Sequence, residues 1–156
     1  MPMRKRAAAA GLAVALAATT AAAGPIEDLD GYWSGGGTVV LSDGKEQVKC
    51  AVRYKVGASG TQIRQNMRCA SADYNINAAA ELRLQGSQVS GNWEEKTYST
   101  TGDVTGRYTG SSLVLSIKGA NFTAAMTVGL STCKQSITIQ PRGLEVRRIS
   151  MSLAKC

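Results

Sequence analysis

The 156-residue chain contains no histidine. That removes Ser-His-Asp and Cys-His catalysis and the commonest metal-ligating side chain. Cysteine is limited to four residues, and none stand in the close C-x2-C spacing that a zinc site needs. The glycine run Gly35-Gly36-Gly37 lacks the lysine and following helix of a phosphate loop and leads into a strand. Helical periodicity is almost missing after Asp30. There is no sign of a second domain, a long-period repeat or a low-complexity tract beyond the alanine-rich N-terminus. Together these absences point away from an enzyme and leave no expected metal or cofactor.

The N-terminus reads MPMRKRAAAAGLAVALAATTAAAG. Arg4, Lys5 and Arg6 precede an apolar stretch that ends in Ala21-Ala22-Ala23. This is the layout of a secretory signal peptide cleaved near Ala23. Thr19 and Thr20 interrupt the stretch, which is weak for a spanning helix. Cleavage would leave 133 residues, 24–156, as one domain. The expected location is the periplasm or the exterior. Three of the 18 basic residues fall in the signal, so 15 face 11 acidic ones and the mature charge is +4. An exported chain of that charge is not expected to bind nucleic acid. Four cysteines in an exported chain read as two disulfides.

Short alternating runs separated by turn residues predict an all-β fold. Turn arithmetic tests this, because a two-residue loop decides which residues face each other. With Ser59-Gly60 as the loop, Val56 faces Ile63, Val52 faces Met67, and Cys50 falls opposite Cys69, within disulfide range. A bulge would shift that register. Asp43-Gly44 sets Val39 opposite Val48 and Trp33 near Tyr54. Gly86-Ser87 pairs Leu84 with Val89, Leu82 with Gly91 and Ala80 with Trp93. Gly110-Ser111 pairs Tyr108 with Leu113, and Gly119-Ala120 pairs Ile117 with Phe122. In each hairpin the apolar residues share one face and the charges the other. The last hairpin, around Pro141-Arg142-Gly143, needs a one-residue bulge near Arg147-Arg148. Cys133–Cys156 follows by elimination. The expectation is an antiparallel up-and-down meander of eight to ten strands. Closure into a barrel would remove its edges, and a charged exterior argues against an outer-membrane barrel.

A polar lead followed by Gly31-Tyr32-Trp33 at the start of the first strand resembles the calycins: lipocalins, avidins and fatty-acid-binding proteins. The resemblance rests on this G-x-W motif and on a meander over about residues 31–155. It implies a ligand-binding barrel with Trp33 closing one end. In lipocalins a basic residue near the end of the barrel packs on that tryptophan; Arg147 and Arg148 are the candidates here. The chain departs from these families in lacking a helical lid, a tryptophan-rich ligand site and a T-D-Y motif.

Candidate ligand contacts inside the barrel are Trp33, Tyr54, Trp93, Glu95, Tyr108 and Met126. Inward Glu95 has two readings. It could orient a ligand or act as a general acid/base, or it could lie at a barrel mouth and meet water or a basic side chain. Glu94 points outward, so the two do not form a catalytic pair. Other inward polar groups are Gln65 and Gln135. Small inward residues (Gly35, Gly37, Ala78, Ala80, Gly91, Gly106 and Ala124) suit either a cavity or a solid core. Outside, Lys49, Arg53, Lys55, Arg64 and Arg68 share a face, with Lys55 opposite Arg64. Opposed like charges are unfavourable, so this patch suits an anionic partner or serves as a solvated, aggregation-resistant face. The leading functional expectation is a carrier of a small apolar ligand. The alternatives are a module that binds anionic lipid or glycan in the cell envelope, and an inhibitor of an extracellular enzyme.

Overall fold

A computed structural model describes residues 26–156; the expected signal peptide lies outside them. A 3-10 turn, Glu27–Leu29, leads into ten strands. They are β1 (Gly31–Leu41), β2 (Gly44–Gly57), β3 (Gln62–Ala70), β4 (Asn75–Gln85) and β5 (Gln88–Glu95), then β6 (Thr100–Tyr108), β7 (Ser112–Gly119), β8 (Thr123–Leu130), β9 (Lys134–Arg142) and β10 (Val146–Ala154). Each strand pairs antiparallel with the next, and β10 pairs with β1 to close the barrel. Closure satisfies every edge. Burial alternates residue by residue, most regularly in β3 and β8. One core cluster lies in the interior, including Trp33, Val52, Ile63, Leu113 and Ile137.

The β2–β3 register pairs Cys50 with Cys69, Val52 with Met67 and Val56 with Ile63. The Cys50–Cys69 disulfide is present, and its loop spans four residues around the Ala58–Gly60 turn. The β4–β5 and β6–β7 registers also match the turn arithmetic. Two turns do not. Between β1 and β2, Leu41 pairs with Gly44, so the loop is Ser42-Asp43. Trp33 therefore faces Val52 and Val39 faces Glu46. No residue of that turn has a positive φ, so the left-handed geometry that makes Asp-Gly a hairpin signal is not used. Between β7 and β8 the loop is Ala120-Asn121, and Ile117 pairs with Ala124. A Cβ on Gly119 would lie 2.1 Å from Phe122 Cε1. The ring folds back over that glycine, and this sets the turn. Both corrections change the register by two, so no side chain changes face.

The bulge near the start of β10 is present: Val40 pairs with Arg148 and Leu41 with Val146. With Ala154 opposite Lys134, the C-terminus ends beside Cys133, and the Cys133–Cys156 disulfide forms. Two disulfides indicate an oxidising, extracytoplasmic environment. No helix among the described residues is long and apolar enough to cross a membrane.

Small inward residues divide into two kinds. A Cβ on Gly91 would lie 1.9 Å from the Glu81 carbonyl oxygen, and one on Gly35 would lie 2.0 Å from that of Ser152. These glycines let neighbouring backbones approach where the strands coil. Ala80 and Ala124 instead border internal space.

Candidate functional site

The two ends of the barrel differ. One is formed by the start of β1, the β2–β3 turn and the end of β10. Here Ile26 and Leu29 are buried over Trp33, which has no exposed surface. The Trp33 indole N–H donates to the Leu29 carbonyl at 2.8 Å. Asp30 Oδ2 accepts from the Val56 N–H at 2.8 Å. Lys155 Nζ sits 5.0 Å from the Trp33 ring centroid and donates to the carbonyls of Asp28 and Asp30. The ammonium thus satisfies turn carbonyls while lying on the indole face. The basic residue on the tryptophan is Lys155. Arg147 and Arg148 are exposed at the opposite end, at the start of β10.

The other end opens into a cavity of about 410 Å³. Its wall is largely apolar, with Met67, Trp93, Phe122, Met126 and Ile139 among the lining residues. Trp93 meets Phe122 edge-on, with centroids 5.9 Å apart. At the rim stand Tyr98 and Leu144, two of the three large apolar residues that are exposed among those described. Gln65 is the amide in the wall. A smaller void of about 20 Å³ lies toward the closed end. It shares Gln65, Trp93, Ile117 and Met126 with the main cavity and is also bordered by Tyr54.

Glu95 lines this mouth but is occupied. Its carboxylate accepts the backbone N–H groups of Asn77 (2.8 Å), Thr97 (3.1 Å) and Tyr98 (2.6 Å). Burial pushes its pKa up, but these bonds together outweigh that and hold it below the usual glutamate value. A carboxylate kept ionised by its own turn is a structural anchor and not a poised general acid. Neither water nor a basic side chain is needed to explain it.

Of the six expected ligand contacts, Trp93, Glu95 and Met126 line the cavity. Trp33 belongs to the sealed end. Tyr108 does too: it ends β6 there, and its hydroxyl donates to the Gly110 carbonyl at 2.9 Å. Tyr54 borders only the small void. Its hydroxyl oxygen accepts from Gln65 Nε2 (2.9 Å) and Gln135 Nε2 (3.1 Å). Burial pushes its pKa up to about 12, although the two amides act in the opposite direction. Phe122, Ile139 and the rim residues Tyr98 and Leu144 were not among the expected contacts. Tyr98, Phe122 and Leu144 lie in turns whose convergence strand parity does not specify, while Ile139 is an inward residue of β9.

On the outside, Lys49, Arg53, Lys55, Arg64 and Arg68 are all exposed on β2 and β3, with Lys55 opposite Arg64. Arg64 has a solvent-exposed ion pair with Glu81 at 3.6 Å. Arg53 lies 6.0 Å from the centroid of exposed Tyr32. Tyr32, Lys49 and Arg68 border a shallow outer groove.

No protein-family model matches this chain, and no curated protein matches it. Solved structures do share its shape. Rv2717c from M. tuberculosis superposes with a TM-score of 0.71 at 14% identity, over 84% of this chain and 94% of that one. A protein of unknown function from the DUF3598 family of Nostoc punctiforme superposes with a TM-score of 0.59 at 14% identity, over 89% of this chain. This chain spans about half of that structure's length, 53%. At such identities the likeness concerns the fold alone.

Proposed function

We propose that this protein is a calycin-like carrier, periplasmic or secreted, that holds a small apolar ligand inside its barrel. The observation that carries this reading is the cavity of about 410 Å³, apolar in its wall, open at one end and sealed at the other. That volume is within the range of small-molecule sites. It accommodates on the order of a dozen heavy atoms at roughly 30 Å³ each. Exposed Tyr98 and Leu144 offer an apolar rim for an incoming ligand. Trp33 under its Lys155 cap is the arrangement that the calycin resemblance implies at the sealed end.

Native mass spectrometry of protein purified gently from its own cell envelope tests the reading. The expected result is a stoichiometric extra mass that is released on denaturation. Protein that carries no extra mass and takes up no apolar probe would refute it.

A second reading rests on the outer face. Among the described residues, Arg64 is the one patch cation with an acidic partner within salt-bridge distance. Lys49, Arg53 and Arg68 surround an exposed tyrosine, a combination suited to anionic head groups or acidic glycans. Salt-sensitive binding to anionic vesicles, lost when Arg53 and Arg68 are reversed to glutamate, would favour this reading over the carrier.

A further inference from the structure

The inner end of the cavity is polar but uncharged. Gln65 faces it from β3 and is tied to Tyr54, which is tied in turn to Gln135 on β9. All three are buried, Gln135 with only 3% of its surface exposed. The Gln65–Tyr54 bond uses one of the amide's two N–H groups, leaving the other and the carbonyl oxygen for a ligand. The Tyr54 oxygen accepts two N–H groups, while Gln135 Oε1 is buried with no partner. Turning the Gln135 amide over would let Tyr54 donate to its oxygen, but would then strand the Gln135 N–H groups. In either orientation the Gln135 amide keeps a buried polar group without a protein partner, and buried polar groups without partners are uncommon. With its pKa raised to about 12, Tyr54 stays neutral at any physiological pH.

Among the described residues, no lysine or arginine lines the cavity. Its two ionisable carboxylates, Glu95 and Glu145, are both at the rim. The cations nearest that end point to the outside: Lys45 and Arg148 pair with Val40, Lys118 and Arg142 pair with Thr123, and Lys96 and Arg147 are exposed beside Glu95 and Val146. An anionic head group brought inside would therefore be desolvated with no cation to receive it, which is strongly unfavourable. The small void beside Tyr54 and Gln65 has room for a group about the size of a water molecule.

We infer that the ligand is an uncharged amphiphile, an apolar body with one hydroxyl- or carbonyl-type end, and that this end enters first and hydrogen-bonds to Gln65, where the Gln65–Tyr54–Gln135 network meets the cavity. This inference rests on the carrier reading and names its ligand class. Free fatty acids are disfavoured. Gln65 is the specificity-determining contact, and Tyr54 and Gln135 hold it in place.

The test uses the delipidated full-length mature protein and four probes of one chain length: decanol, decanoate, decylammonium and decane. Binding is read from Trp93 fluorescence and by displacement of a neutral dye. Decanol is expected to bind about ten-fold more tightly than decane, and decanoate more weakly than decanol by at least as much. Gln65→Leu should remove the advantage of decanol over decane while leaving decane itself bound as before. Should Gln65→Leu fail to fold, Gln135→Leu weakens the same preference, and the wild-type ranking alone still decides. Equal binding of decanol and decane overturns the inference but leaves the carrier reading standing. Tightest binding of decanoate also overturns it. Tightest binding of decylammonium overturns it as well, since the acidic rim would then select the ligand. If none of the four binds, the carrier reading itself fails.

Discussion

At the sealed end of the barrel, the turn before β1 and the end of β10 converge on one tryptophan. At the open end, four turns stand apart around an apolar hollow. Both ends contain a charged residue that bonds to backbone groups, Lys155 to carbonyls and Glu95 to N–H groups. The difference is what the charge secures. Lys155 joins the turn before β1 to the end of β10, residues 125 or more apart in sequence, so it closes the barrel. Glu95 secures the β5–β6 turn beside it and one neighbouring strand residue, so it holds the rim without covering it. Anchoring therefore does not by itself close a barrel; closure requires contacts between segments distant in sequence.

Substitutions can break this contrast. The largest effect is expected at the sealed end: Trp33→Ala should destabilise by about 3–5 kcal/mol, because it empties the most completely buried large side chain. Chemical denaturation would measure it, and a loss below about 1 kcal/mol would mean the plug is not part of the core. Removing the Cys133–Cys156 disulfide with a double Cys→Ser change should cost about 3 kcal/mol. It should also speed hydrogen exchange at the Lys155 amide, which donates to the Cys133 carbonyl at 3.0 Å. The Cys50–Cys69 separation of 19 is close to the 23 of this bridge. Loop entropy alone thus predicts nearly equal losses for the two, and any excess for Cys133–Cys156 measures the plug.

Tyr54 gives a pH test. Its phenol has an ordinary pKa of 10.0 when unfolded and about 12 when folded. Above pH 10 the unfolded chain loses this proton first, so stability falls as pH rises from about 10 to 12, by about 2–3 kcal/mol. In Tyr54→Phe that alkaline fall should be reduced. Glu95 behaves in the opposite sense. Its lowered folded-state pKa contributes stability that is complete above the ordinary value of 4.5 and is lost as pH falls through the folded-state value. Glu95→Gln should cost about 1–2 kcal/mol at neutral pH and flatten the acid limb. An unchanged acid limb would show that the three N–H bonds contribute nothing. The smallest effect on stability is expected at the open end. Ala124→Leu fills the hollow and should change stability by less than about 1 kcal/mol while abolishing ligand uptake. A loss of several kcal/mol would show a packed core there instead of a cavity.

Strand faces were legible in the sequence because side-chain direction in a strand depends only on parity. The Ser59-Gly60, Gly86-Ser87 and Gly110-Ser111 turns gave the observed registers, and even the two misplaced turns left every residue on its expected face. The bulge near Arg147 was legible for the same reason, since the apolar alternation changes phase there. Parity also brought Cys50 opposite Cys69, and Cys133–Cys156 was the one pairing left. These are local quantities, spread over at most a hairpin.

The tertiary structure alone decided which residues meet across the barrel. Lys155, rather than Arg147 or Arg148, lies on Trp33 because the bulge and the β9–β10 register together carry the C-terminus to the plugged end. The hollow beside Ala124 and the solid packing around Trp33 come from equally apolar inward residues. Whether space remains is a small difference between the enclosed volume and the summed side-chain volumes of many strands. Gln65, Tyr54 and Gln135 likewise become one network only when β2, β3 and β9 face a common interior. Alternation sets the direction of each side chain, but closure of the sheet sets the distances between them.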